Sequence, residues 1–125
     1  TTISTAFGDM LLTHREFLVN AVTDGYPSAG AWFDSTVELM NEVMVYGSYI
    51  RTPASNGVTS VIRTTIDKQQ LSLFRLNPRA INNQLNIWLR DVVSSSNFAF
   101  VNIGGCANSF TASFSAGVRP AFAIG

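Results

Sequence analysis

The spacing of apolar positions divides the chain into a helical front and a β-rich remainder. Phe17, Leu18 and Ala21 recur near the helical period behind Thr13-x-x-Glu16. That tetrapeptide reads as a capping box, in which the hydroxyl accepts from the third helical N–H and the Glu reaches back. Asp24-Gly25 and Pro27 then stop the helix. Ser35-x-x-Glu38 opens a second one. Val37, Met40, Val43 and Met44 fall on its apolar face, with Glu38, Asn41 and Glu42 opposite, and Gly47 ends it.

After Gly47 the period shortens. Tyr49-Ile50 and Val61-Ile62 read as short strands around Pro53-Ala54-Ser55-Asn56-Gly57, where Asn-Gly is a strong turn signal. Residues 66–76 fit neither period, and Asn77-Pro78 is a break. Ile87-Trp88-Leu89, Phe98 to Ile103 and Val118 to Ile124 read as strands, punctuated by Gly104-Gly105 and Gly117. Helices first and β-ribbon last predict an α+β domain with mostly antiparallel strands. The predicted core includes Met40, Val43, Trp88, Leu89, Val118 and Phe122.

Composition narrows the classes. The 125 residues suit one domain, and a hydrophobic content of 46% excludes disorder. No apolar run is long enough to span a membrane, and no signal peptide is visible. The chain opens Thr-Thr, which points to the C-terminal part of something longer. Net charge is zero with scattered bases, which argues against nucleic acid as a partner. Residues 1–62 carry two bases and six acids, net −4; residues 63–125 carry six bases and two acids, net +4. Seven of the eight bases are Arg, the side chain suited to bidentate, partly buried pairing. Arg90 and Arg119 sit in apolar stretches and call for carboxylates, with Asp91, Glu38 and Asp34 as the candidates.

Catalytic signatures are missing, so an enzyme is not expected. His14, the only histidine, reads as an exposed residue at a helix start. Cys106 is alone and reads as a small, semi-buried hydrophobe. The acids look isolated or set on helix faces, so neither a calcium cluster nor another metal or cofactor is expected.

Only 13% of residues are charged, about half the usual share of roughly 25%. The deficit concentrates in 92–118, which holds no charge at all. Its six Ser, four Phe and three Asn are a mix that paratopes use: rigid aromatics for contact area, small polar groups for adaptable hydrogen bonds.

This stretch resembles the variable region of diversity-generating retroelement target proteins of the phage receptor-binding type. The resemblance rests on Trp88-Leu89-Arg90-Asp91, Phe98-Ala99, Val101, Gly105, Ala107, Ala112-Ser113, Ser115 and the closing Gly117-Val118-Arg119-Pro120-Ala121-Phe122. The closing block is also similar to that of C-type-lectin-fold domains related to formylglycine-generating enzyme. Gly8 to Leu12 leading into a helix, and Trp32 to Gly47 as a second, look like the front of that fold. The resemblance implies a C-type-lectin-like domain over 1–125: two helices, a mostly antiparallel sheet and an irregular variable region at about 92–118.

It also implies that a reverse transcriptase rewrites fixed positions on a solvent-facing surface. Those positions are Ser96, Asn97, Phe100, Asn102, Ile103, Gly104, Cys106, Asn108, Ser109, Phe110, Thr111, Phe114 and Ala116. Phe98 is expected inside, and Phe100, Phe110 and Phe114 outside. The lectin Glu-Pro-Asn and Trp-Asn-Asp motifs are absent, so no calcium-dependent sugar site is expected. The implied function is recognition of a protein or glycan receptor, from a phage tail-fibre tip on the virion surface or an adhesin on the extracellular cell surface. A homo-oligomer would add avidity. The alternative is a structural virion or surface appendage domain whose Phe-rich tract is a subunit interface. Burial of Phe100, Phe110 and Phe114 separates the two.

Overall fold

The structure is a computed structural model that describes residues 2–52 and 69–125. The turn at Asn56-Gly57 and the strand at Val61-Ile62 lie outside the described residues. The described chain is α+β, with mostly antiparallel strands and short helices.

Where the first capping box predicts a helix, the structure has a hairpin. Strand β2 (His14–Thr23) pairs antiparallel with β3 (Tyr26–Ser35). Asp24 and Gly25 have φ of 51° and 78°. Two successive positive φ values are what a two-residue type I′ turn requires, and Asp-Gly is among its favoured pairs. Asp24-Gly25 therefore reverses a strand instead of ending a helix. A cap is worth about 1 kcal/mol, and tertiary pairing overrides it here. Phe17 faces Trp32 across the ladder, with ring centroids 5.4 Å apart and nearly perpendicular. Phe17 also lies over Gly30, where a Cβ would meet its ring at 2.5 Å.

The second predicted helix is shorter and starts later. Residues Val37–Leu39 form β4, paired with β8 (Pro120–Ile124). Helix α2 spans only Glu42–Tyr46; the Asn41 side chain caps it by accepting from the Met44 N–H at 2.7 Å. Gly47 closes it at φ 82°, as the sequence predicts. Tyr49 and Ile50 are not in a strand. The fully buried Glu42 carboxylate instead accepts the backbone N–H groups of Ile50, Arg51 and Thr52. It also accepts from the Thr52 hydroxyl.

Strand β8 is central, between β1 (Leu11–Leu12) and β4. Helix α1 (Thr2–Phe7) sets Phe7 against Phe122, 4.9 Å between rings. Helix α3 (Ser72–Leu76) stops at the Asn77-Pro78 break. A second sheet orders β5 (Ile87–Val92), β6 (Asn97–Val101) and β7 (Ala107–Thr111). The tract 92–118 is therefore not irregular, because two of its segments pair as a regular antiparallel hairpin. β-propensity of Phe98, Phe100 and Val101 supports the ladder, while Ser94 to Ser96 and Asn102 lie in its turns.

The core joins α2 and α3 to one face of this sheet, through Met40, Met44, Val45, Phe74, Ile87, Leu89, Ala99 and Val101. Val43 is buried as predicted, and Trp88 and Phe122 are half-buried. Val118 is 65% exposed, against the sequence reading. The backbone of Gly117 is pinned to β5 through Asn86 and Trp88, and Val118 follows it outside the β8 ladder.

Candidate functional site

The opposite face of the β5–β7 sheet is aromatic. Phe98 pairs with Phe110, and Phe100 sits between Trp88 and Asn108 in register. Period two places these residues on one side and Ala99 and Val101 on the core side. The segment after β7 folds back so that Phe114 contacts Trp88, Phe100 and Phe110, at 6.1, 5.3 and 5.1 Å between centroids. The angles, from 43° to 82°, are the tilted and edge-on arrangements that aromatic quadrupoles favour. The result is layered: Trp88 and Phe100 at the base, Phe114 half-buried above them, Phe110 on top.

Exposure corrects the sequence reading. Phe100 is only 4% exposed, so it is not a surface position. Phe98 is half-buried and not fully inside. Phe110 is 52% exposed, and Phe114 is intermediate.

The other candidates do not form one continuous patch. Ile103, Gly104 and Cys106 are exposed on the β6–β7 turn. Ser96, Asn97, Thr111 and Phe114 cluster at the other end of the hairpin, where Asn97 faces Thr111. Five residues of β6 separate the two groups by about 16 Å. Asn102 is committed internally: its Oδ1 accepts from the Gly104 and Cys106 N–H groups at 2.9 and 3.0 Å, holding the turn. Asn108 Oδ1 accepts from the Ser109 N–H, and Ser109 lies opposite buried Ala99. Asn108, Ser109 and Ala116 are half-buried. Cys106 is exposed, not semi-buried, because it sits in the turn and not on a strand. Beside the aromatic base lies a cavity of about 380 Å³ walled by Leu39, Trp88, Leu89, Arg90, Phe98 and Ala112.

A second constellation escapes the sequence reading. His14, Glu16, Glu38 and Arg90 meet between β2, β4 and β5. His14 is not at an exposed helix start, and Glu16 and Glu38 are not on helix faces. On a strand, residues 14 and 16 share a side, whereas on a helix they would diverge. Arg90 Nη1 donates to Glu38 Oε2 at 2.5 Å and to Glu16 Oε2. Glu38 is thus one of the carboxylates that the apolar setting of Arg90 calls for, and Glu16 is the one missed. Asp91 instead accepts from the Glu42 N–H at 2.6 Å. Burial pulls the Arg90 guanidinium down to about 10, with Asp91 acting the other way. Arg119 donates to the Ala80 carbonyl at 2.8 Å, and its guanidinium lies 5.1 Å over the Phe74 ring. Tyr46 donates to the Gly105 carbonyl at 2.8 Å, and burial pushes its phenol well above the ordinary tyrosine value.

No protein-family model, curated protein or solved structure matches the chain. Among the described residues, no helix is long and apolar enough to cross a membrane.

Proposed function

We propose that the chain is a diversified ligand-binding protein, built on a C-type-lectin-like domain and recognising a receptor through its carboxy-terminal tract. The observation that carries this reading is the layered aromatic face. Phe110 stands half exposed on a base of Phe114, Phe100 and Trp88. A rigid apolar platform edged by Ser96, Asn97 and Thr111 offers contact area at low entropic cost and hydrogen bonds at its rim. Exposed apolar patches of this kind mark partner sites. The platform has no charge, so it suits a protein or glycan surface met without long-range steering. Display on a phage tail tip or a cell surface, without catalysis, belongs to the same proposal.

Burial sorts the positions open to rewriting. Ser96, Ile103, Cys106, Phe110 and Thr111 can change with little cost to the fold, while Phe100 and Asn102 support it. The test is population sequencing of the locus. A near-identical template copy, a reverse transcriptase gene and adenine-directed changes concentrated at the exposed codons are expected. Absence of the template, or changes spread equally over Phe98, Ala99 and Val101, would overturn the proposal. Sedimentation of Phe110→Ser separates the structural alternative, in which a concentration-dependent oligomer of the parent is lost.

A further inference from the structure

We propose that His14, Glu16 and Glu38 form a binding site for a divalent transition-metal ion, Zn²⁺ in the first place, separate from the aromatic face. One donor atom from each residue lies within 4.8 Å of the other two. His14 Nε2 lies 2.8 Å from Glu16 Oε1 and 2.9 Å from Glu38 Oε1. Arg90 takes the other oxygen, Oε2, of both carboxylates, which turns both Oε1 atoms toward the imidazole. An arginine on the distal oxygens is the kind of outer partner that orients metal ligands.

The arrangement is incomplete as a hydrogen-bond network. Nε2 carries at most one proton and its bond goes to Glu38 Oε1. Glu16 is fully buried, and its Oε1 accepts no hydrogen bond. A buried carboxylate oxygen without a donor is unfavourable. A cation between the three atoms would take the place of the Nε2 proton, which moves to the buried Nδ1, so that Nε2 gives its lone pair and both Oε1 atoms gain a partner. Among the described residues, two carboxylates face one guanidinium at this point.

The donor set selects the ion. One imidazole nitrogen with two carboxylate oxygens suits Zn²⁺ better than the all-oxygen shells of calcium or magnesium. Bonds of about 2.1 Å in a tetrahedron set ligand atoms about 3.4 Å apart, so each of the two Oε1 atoms needs to draw back from the imidazole nitrogen by only about half an ångström. Three protein ligands leave a fourth position. All three residues line a cavity of about 390 Å³ with Met40, Met44 and Phe74 in its walls, from which water or an oxygen donor of a lodged ligand would complete the shell.

The experiment strips the chain with a chelator and titrates Zn²⁺ against a chromophoric competitor. Cys106→Ser is the parent, because an exposed thiol binds zinc by itself. One equivalent per chain is expected. His14→Ala should weaken binding by roughly 100-fold or more, since loss of mere outer partners costs about 10- to 100-fold. Co²⁺ should give the visible bands of a tetrahedral site, lost in the same variant. Far-UV circular dichroism checks folding, and His14→Gln replaces His14→Ala if the latter unfolds. Absence of one-equivalent binding by the parent, or binding by a folded His14 variant within threefold of it, would overturn the proposal.

Discussion

Two regions that meet at β5 handle polarity in opposite ways. Arg90 reaches into a buried knot of charge with Glu16 and Glu38, whereas Trp88, two residues earlier, supports an uncharged aromatic face with its top open to solvent. In the knot charges are buried; on the aromatic face one ring of the stack, Phe110, stands half in water. Buried ion pairs are weak net stabilisers but costly to break. The knot therefore ties β2, β4 and β5 together at little net gain.

The largest effect should come from breaking the knot. Arg90→Met leaves two carboxylates buried without their cation and should lower unfolding free energy by about 3–5 kcal/mol in urea titrations. A loss below about 1 kcal/mol would mean that water already reaches Glu16 and Glu38. Next comes the aromatic base: Phe100→Ala should cost about 3 kcal/mol. Phe110→Ala, on top of the same stack, should cost less than about 1 kcal/mol because half the ring is already in water. Equal losses would erase the distinction between base and top.

A pH measurement probes the join between α2 and the β6–β7 turn. The Tyr46 phenol is raised in the folded state, so its contribution is complete below about pH 10 and is lost as pH climbs toward the folded value. Tyr46→Phe should therefore lose less stability than the parent between pH 10 and 12. The smallest effect is expected at Cys106→Ser, within about 0.5 kcal/mol, as for an ordinary surface change.

Much of the second half of the fold was legible. Ile87-Trp88-Leu89 and Phe98 to Val101 are apolar runs that form strands, Asn77-Pro78 breaks a helix, and Gly47 closes one. The front half was not. Thr13-x-x-Glu16 satisfies a capping rule, but Asp24-Gly25 serves equally as a helix stop and as a type I′ turn. Only the partner strand, Tyr26–Ser35, decides between them. That one ambiguity hid the charged knot, because His14 and Glu16 share a face only on a strand. Within the tract, period two puts Phe98 and Phe100 on one side of β6, but the sequence could not say which ring is covered there. Phe100 is an interior residue because Trp88 and Phe114 cover it, a long-range fact. Asn102 has the type of a contact residue, yet its oxygen is spent on the turn it begins.

The most direct test of a rewritable face on a fixed base is saturation substitution of residues 92–118, scored for resistance to proteolysis. Broad tolerance is predicted at Ser96, Ile103, Cys106, Phe110 and Thr111, with intolerance at Ala99, Phe100 and Val101. Phe110 proving as intolerant as Phe100, or Phe100 as tolerant as Phe110, would contradict it.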